Sequence, residues 1–245
     1  METIAINLDK LINRARLIKE LEDKYKDSFA GDLRLRPSVG SFSLVSCADD
    51  KPQAGHPSLR SEVDLKTKLK ETIQPPKREV PEKKLQSWLI RQARSEGGQI
   101  KPISDLFLGD RFWFVSDEIA LSDPATKKKF VADMLLVRVD GENLAQLVNV
   151  ELKYDRSMKT FEQVKTFREI LENSELPAAW QQFAEIMTGQ SFRWRPSQEK
   201  TYGLVVWPKA NDLSKALANK KRGDYERIGL LSFQKTDTGY ILNVE

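Results

Sequence analysis

The 245-residue chain is almost without cysteine and histidine: it has one of each, Cys47 and His56. A single cysteine cannot form a disulfide within the chain, so a disulfide-stapled secreted scaffold is excluded. Zinc ribbons and fingers need several Cys or His ligands and are excluded too. His56 lies between Gly55 and Pro57, which is typical of a loop, so we do not expect a catalytic triad with a histidine base.

Long apolar runs and nucleotide-binding motifs are also missing. No run approaches the roughly 18 apolar residues of a membrane-spanning helix. The N-terminus carries charge from Glu2 onward instead of an apolar signal-peptide core. Neither Gly-Lys-Ser/Thr nor Gly-x-Gly-x-x-Gly occurs. We therefore expect a soluble cytoplasmic protein without a membrane partner, and if it is an enzyme, its chemistry uses carboxylates, lysines and a hard metal ion.

A large excess of either positive or negative charge is missing as well. The 40 Lys and Arg against 36 Asp and Glu give a net charge of only +4. Any electrostatic attraction of a partner must therefore come from local patches. Because 40% of the residues are hydrophobic, the chain can bury a core and is not disordered throughout.

Residues 1–76 are predicted to form a helical and loop extension. Apolar residues recur at spacings of three and four over residues 4–29, which predicts a helix. We interpret this stripe as a face that packs on the protein's own core. A coiled-coil seam that makes a homo-oligomer through residues 4–29 is the alternative.

The rest of this extension is rich in turn-forming residues. Pro, Gly and Ser are frequent over 37–61, which predicts a loop. Alternation of side chains at 39–47 leaves room for one short strand. A polar helix is predicted near 60–72.

Residues 77–245 are predicted to form a mixed α/β domain, a β-sheet flanked by helices. The predicted elements, in chain order, are a helix at 81–94, strands at 112–121, 130–139 and 144–153, helices at 157–172 and 177–188, a strand at 202–207, a helix at 211–220 and a hairpin at 228–244.

Acidic side chains interrupt two of these apolar strands. Glu151 and Lys153 share one face at the end of the third strand because side chains alternate along a strand. Asp133 interrupts the second strand. If the two strands pair antiparallel through the Asp140-Gly141 turn, Asp133 and Glu151 fall near the same end of the sheet. Two such carboxylates suit Mg²⁺ or Mn²⁺, and the neighbouring ammonium could orient a water or offset developing negative charge.

Two polar helix residues fit the same picture. Glu82 shares a helix face with Leu85 and Leu89, three and seven positions later. Gln163 lies at the edge of the apolar face of the 157–172 helix. Both side chains are therefore expected to point toward the sheet.

A family resemblance follows from the order of these residues. The residues that carry it are Asp133, Glu151-Leu152-Lys153 and Gln163-Val164-Lys165-Thr166-Phe167. The arrangement resembles the PD-(D/E)XK nuclease superfamily and is most similar to its RecB-like and restriction-endonuclease-like members. The resemblance covers roughly residues 81–208 and implies a restriction-endonuclease-like mixed β-sheet flanked by helices.

The resemblance also implies roles for the central residues. Asp133, Glu151 and the Leu152 carbonyl would bind Mg²⁺ or Mn²⁺. Lys153 would position the attacking water and stabilise the pentavalent phosphorus.

The helix residues match the family less completely. Glu82 matches the first-helix acid, and Gln163 matches the glutamine of the QxxxY helix motif. Phe130 stands where the family often has glycine, and Phe167 stands where that motif has tyrosine. These departures leave the subfamily and the substrate open.

Each site residue also has a structural interpretation. Glu151 and Lys153 could be a surface ion pair, worth about 0–1 kcal/mol. Asp133 could face solvent on a half-exposed strand. Glu82 could be a first-turn acid favoured by the helix dipole, and Gln163 a solvated helix position.

Basic residues are candidates for contact with phosphates. Residues 190–227 hold nine Lys or Arg against four Asp or Glu. The candidate nucleic-acid-binding residues are Lys127, Lys128, Lys129, Arg193, Trp194, Arg195, Lys220, Lys221 and Arg222. Trp194 could stack on a base or pack in the core.

These observations support three hypotheses. The leading one is a metal-dependent nuclease that hydrolyses phosphodiester bonds in nucleic acid, with DNA favoured over RNA. The second is a non-catalytic nucleic-acid-binding or assembly protein that keeps the nuclease fold. The third is an interaction module assembled through residues 4–29.

Overall fold

Two β-sheets organise the described part of the chain, one of three strands and one of six. The computed structural model describes residues 2–29, 31–122, 129–156, 159–172, 176–196, 201–209 and 227–245. The three-stranded sheet is antiparallel and the six-stranded sheet is mixed and flanked by helices. The prediction of a mixed α/β architecture is therefore confirmed.

The N-terminal region contains more β-structure than its sequence indicated. Its elements are α1 (Glu2–Lys24), a 3-10 helix (Lys26–Phe29), β1 (Leu33–Ser38), β2 (Ser41–Ser46), β3 (Gly55–Leu59) and α2 (Glu62–Lys68). The helices predicted at 4–29 and 60–72 are present, and the short strand at 39–47 is β2. The loop predicted over 37–61 is wrong, because β2 and β3 both lie within that range.

Turn residues explain this error. Gly40, with φ of +79°, lies in the tight turn between β1 and β2, where a left-handed backbone favours glycine. Phe42 and Leu44 of β2 are fully buried against Leu35 of β1 and against α1 and α2. A few apolar residues on one face are enough to hold the sheet, although Pro, Gly and Ser dominate the composition.

The second region follows the predicted order closely. Its elements are α3 (Pro81–Ser95), α4 (Lys101–Ser104), β4 (Arg111–Ser122), β5 (Lys129–Val139), β6 (Ala145–Leu152), α5 (Lys159–Leu171), α6 (Pro177–Thr188), β7 (Tyr202–Pro208), β8 (Ile228–Thr236) and β9 (Gly239–Val244). The helix predicted at 211–220 lies outside the described residues.

The large sheet has the strand order β4-β5-β6-β7-β8-β9. Strands β6, β7 and β8 are parallel, and the other neighbours are antiparallel. Apolar residues of α3 and α4 cover one face, and those of α1, α5 and α6 cover the other. A Cβ on Gly203 of β7 would lie 2.3 Å from Val164 Cγ1, so glycine allows α5 to pack close to the sheet.

The apolar stripe of α1 packs within the chain. Leu8, Leu11 and Ala15 are at most 1% exposed and join the core between the large sheet and α6. Ile18 continues the same stripe into the core of the small sheet. This confirms the interpretation that the stripe packs on the protein's own core, while the oligomeric state stays a prediction. Across the described ranges, no helix combines the length and apolar character needed to cross a membrane.

Polar contacts join the two sheets. The Arg34 guanidinium of β1 donates to the Asp117 carboxylate of β4, and both side chains are buried. Arg36 lies 3.8 Å from the same carboxylate. Arg94 of α3 donates to the carbonyl of Leu33 at 2.7 Å. The N-terminal sheet is thus fastened to both β4 and α3.

Candidate active site

The acids predicted to meet do lie side by side. Strands β5 and β6 pair antiparallel with Met134 opposite Val150. The next position in this register sets Asp133 opposite Glu151, so both side chains lie on the same face. This is the end of the sheet where the parallel strands β6, β7 and β8 have their carboxyl termini.

Three side chains form the centre of the candidate site. Lys153 Nζ lies 3.0 Å from Glu151 Oε2 and 3.6 Å from Asp133 Oδ2. The Leu152 amide donates to Asp133 Oδ2 at 2.9 Å, which fixes one carboxylate oxygen against the neighbouring strand. The ammonium therefore contacts both carboxylates.

The Glu151 carboxyl group has an unusually high pKa, and burial is the main cause. Its side chain is 3% exposed, whereas that of Asp133 is 19% exposed. Burial, together with the nearby negative charge of Asp133, raises the pKa of Glu151 to about 8, against the opposing effect of Lys153. The interpretation of Glu151 and Lys153 as a solvated surface ion pair does not fit this burial.

The pKa of Lys153 is raised, although burial of an ammonium normally lowers its pKa. Burial alone would lower its pKa, but the carboxylates of Asp133 and Glu151 outweigh that effect and hold the pKa above its usual value. Lys153 therefore stays a cation beside the two acids.

The charge balance of this group fits a hard cation. Two carboxyl groups face one ammonium, so ionisation of both leaves one negative charge without a partner, and burial makes that charge costly. Carboxylate oxygens suit Mg²⁺ or Mn²⁺. Among the described residues, no three His, Cys, Asp or Glu side chains form a metal-binding group. Asp133 and Glu151 are enough for Mg²⁺, which usually takes one or two carboxylates and keeps several waters.

Glu82 reaches the same end of the sheet from α3. Its Oε1 accepts a hydrogen bond from the Tyr154 amide at 3.1 Å, directly after Lys153 in the chain. Glu82 thus points toward the sheet, as predicted, and holds the chain segment that follows Lys153.

Gln163 is placed differently from the prediction. It is exposed on α5 and does not point into the sheet. It does line a groove of about 260 Å³ with Lys129, Phe130 and Val131 of β5. Val131 precedes Asp133 by two residues, so the groove borders the strand that carries Asp133.

The basic tripeptide at 193–195 lies far from the acids. Trp194 bridges to Ala145 at the start of β6, and Glu151 lies six positions after Ala145. Six strand residues span roughly 20 Å. Trp194 Nε1 donates to Glu185 Oε1 at 2.9 Å and its ring packs against the core. This contact supports the interpretation of Trp194 as a packed residue.

Two of the other basic candidates lie at opposite ends of the sheet, and the rest lie outside the described residues. Lys129 is exposed at the start of β5, four residues from Asp133 or roughly 13 Å along the strand. Arg193 is exposed at the opposite end of the sheet. Lys127, Lys128, Lys220, Lys221 and Arg222 lie outside the described residues.

Two polar residues beside the site were missed from the sequence. Glu118 of β4 lies opposite Asp133, between the register pairs Asp117–Met134 and Ile119–Ala132. Gln86 of α3 is fully buried and donates to the Asp133 carbonyl at 2.6 Å. The signal for Glu118 was the same as for Asp133, an acid inside an apolar strand.

Comparison with known proteins adds no assignment. No protein-family model, curated protein or solved structure matches the chain significantly. The function must therefore be argued from the geometry of the site.

Proposed function

We propose that this chain is a metal-dependent nuclease of the PD-(D/E)XK type that hydrolyses phosphodiester bonds in DNA. The observation that carries the proposal is the cluster of Asp133, Glu151 and Lys153 on adjacent strands. Glu151 is buried next to a second carboxylate with one ammonium between them. A surplus of buried acid is costly to folding and needs a functional reason.

The order of the elements supports a restriction-endonuclease-like fold. A helix, α3, precedes three antiparallel strands, helices α5 and α6 follow, and β7 returns parallel to β6. This is the superfamily order to which the sequence pointed. The two acids lie on the second and third strands of that series, as the motif requires.

The residues divide the chemistry between them. Asp133 and Glu151 bind a Mg²⁺ or Mn²⁺ ion, with help from the Leu152 carbonyl. The bound ion supplies Lewis-acid polarisation of the phosphoryl oxygens and lowers the pKa of water. Lys153 orients the attacking water and offsets the negative charge that develops on the phosphoryl oxygens.

Four flanking residues complete the site. Glu82 holds the Tyr154 amide and thereby fixes the segment after Lys153. Gln163 and Lys129 line the groove along β5 and contact the nucleic acid there. Tyr154 is 56% exposed beside the site, so its ring is accessible to a substrate.

The test is cleavage of labelled single- and double-stranded DNA and RNA with Mg²⁺, with Mn²⁺ and with a chelator. The wild type is compared with Glu151→Ala and with Glu142→Ala, a control acid exposed in the turn before β6. We expect metal-dependent cutting that Glu151→Ala abolishes and Glu142→Ala preserves. Full activity in a folded Glu151→Ala protein would reject the proposal.

The same assay separates the leading hypothesis from its rival. A non-catalytic nucleic-acid-binding protein would bind without cutting, and its binding would weaken as salt increases. It would also tolerate alanine at Asp133 and Glu151. Binding without cutting under every metal condition would therefore favour the rival hypothesis.

A further inference from the structure

A buried amide on α3 contacts the backbone of the strand that carries Asp133. Gln86 is fully buried on a helix face that otherwise packs apolar side chains such as Leu85 and Leu89. Its Nε2 donates to the Asp133 carbonyl at 2.6 Å and to Glu118 Oε1 at 3.2 Å. A buried polar side chain among apolar neighbours needs such partners, and here one of them is the backbone of a site residue.

Glu118 has a strained backbone at this point. Its φ is +49°, in the left-handed region that glutamate rarely adopts. Its carboxylate forms an ion pair with Lys83, and Lys83 Nζ also lies 3.3 Å from Gln86 Oε1. Lys83, Gln86 and Glu118 therefore form one closed network. Strain that persists beside a functional site is often part of how that site is held.

The same helix also contacts the segment that directly follows β6. Glu82 precedes Gln86 by four residues, so both lie on one side of α3. Glu82 accepts from the Tyr154 amide, while Gln86 donates to the Asp133 carbonyl. One helix thus contacts the backbone of β5 at Asp133 and the backbone directly after β6 at Tyr154.

We propose that Gln86 is a positioning residue, which sets Asp133 at its distance from Glu151 and Lys153 through the Asp133 carbonyl. Lys83 and Glu118 act through Gln86, since they fix the direction of its amide. The inference rests on the proposed function, because Asp133 needs accurate placement only if it takes part in binding and chemistry. A displacement of about 1 Å at a reacting centre is enough to slow catalysis substantially.

A merely structural role for Gln86 makes a different prediction. In that case its loss would lower the stability of the fold, and the folded fraction would cut DNA and bind metal as the wild type does. A positioning role requires that the folded protein itself is impaired.

The experiment compares Gln86→Leu with the wild type and with Gln92→Leu. Gln92 is a half-buried glutamine further along the same helix and serves as the matched control. Two quantities are measured in the folded protein: steady-state cleavage, and Mn²⁺ affinity in the absence of nucleic acid. For Gln86→Leu we expect kcat to fall about 10- to 100-fold at nearly constant KM, and Mn²⁺ affinity to fall about tenfold. Gln92→Leu should match the wild type.

A second variant keeps the test decisive if Gln86→Leu does not fold. Lys83 is 30% exposed, so Lys83→Met removes only the outer member of the network. It should fold and show the same two changes at smaller size, about two- to fivefold. Unchanged kcat and unchanged Mn²⁺ affinity in Gln86→Leu, or in Lys83→Met if only that variant folds, would overturn the inference.

The two measurements also separate this inference from the proposed function. If the wild type cuts no nucleic acid and binds no Mn²⁺, the proposed function fails and the inference falls with it. If the wild type cuts and binds but the variants behave identically, only the positioning role is rejected.

Discussion

Asp117 and Glu151 are both buried carboxylates of the large sheet, but their environments shift their pKa values in opposite directions. Asp117 is fully buried beside two guanidinium groups, those of Arg34 and Arg36. Burial would raise the pKa of Asp117, but these two cations outweigh burial and lower it. Glu151 shares one ammonium, that of Lys153, with a second carboxylate, and its pKa is raised.

The difference lies in the number of compensating charges. Two guanidinium groups face the single carboxylate of Asp117. The Arg34–Asp117 ion pair joins the small sheet to the large one. Glu151 and Asp133 share a single ammonium, that of Lys153. We expect a metal ion beside these two carboxyl groups. Counting charges around each buried acid therefore distinguishes a structural pair from a candidate site.

The largest expected effect comes from breaking the compensated pair. Arg34→Met removes the guanidinium that donates to the buried Asp117 carboxylate, and should lower the free energy of unfolding by about 3–5 kcal/mol. This loss in the free energy of unfolding is measured by unfolding in urea. The double variant Arg34→Met/Asp117→Leu removes both charges and should recover most of that loss. A single variant as stable as the wild type would contradict the structural role of the pair.

An effect of comparable size is expected from titrating Glu151, the uncompensated acid, in the presence of a chelator. The pKa of Glu151 is raised from 4.5 in the unfolded chain to about 8 in the folded protein. Its contribution to stability is therefore fully present below about pH 4.5 and is lost as pH rises through about 8. The full shift sets an upper limit of about 5 kcal/mol on this loss, since one pKa unit corresponds to about 1.4 kcal/mol.

Glu151→Gln should remove this dependence. The difference in unfolding free energy between wild type and variant, measured from pH 5 to pH 9, should change in favour of the variant as pH rises. Asp117 does not contribute in this window, because its lowered pKa makes its stabilisation disappear only as pH falls below about 4. Parallel pH profiles for the wild type and Glu151→Gln would contradict the raised pKa.

The smallest effect is expected at a compensated pair nearer the surface. Arg195 pairs with Asp140, and their side chains are 27% and 12% exposed. Arg195→Ala should lower the free energy of unfolding by about 1 kcal/mol or less and leave cleavage unchanged. A clear loss of DNA affinity in this variant would instead assign Arg195 to the nucleic-acid interface, as the sequence suggested.

The candidate site could be predicted from the sequence where a charged residue interrupted an apolar strand and its partner lay nearby along the chain. Asp133, Glu151 and Lys153 stood out because each broke a buried strand, and the short turn at Asp140-Gly141 implied their pairing. The register of β5 and β6 then followed from the antiparallel geometry.

Sequence reasoning failed where the partner was distant along the chain. Asp117 interrupts β4 in the same way, but its partner Arg34 is 83 residues away, between the predicted helix at 4–29 and the predicted loop at 37–61. Gln86 could not be recognised, because helical periodicity does not say which polar residue near an apolar face meets a backbone carbonyl. Gln163 lay at the edge of its helix face, where a small rotation decides between sheet and solvent.

Mn²⁺ binding by the protein without nucleic acid shows whether Asp133 and Glu151 form a metal site. The wild type is titrated beside Asp133→Asn/Glu151→Gln, and beside Asp105→Asn/Glu142→Gln, which changes two exposed acids as a control. We expect one bound ion in the wild type and in the control, and none in the Asp133→Asn/Glu151→Gln protein. No binding by the wild type, or equal binding by all three proteins, would contradict the claim that the surplus carboxylate marks a metal site.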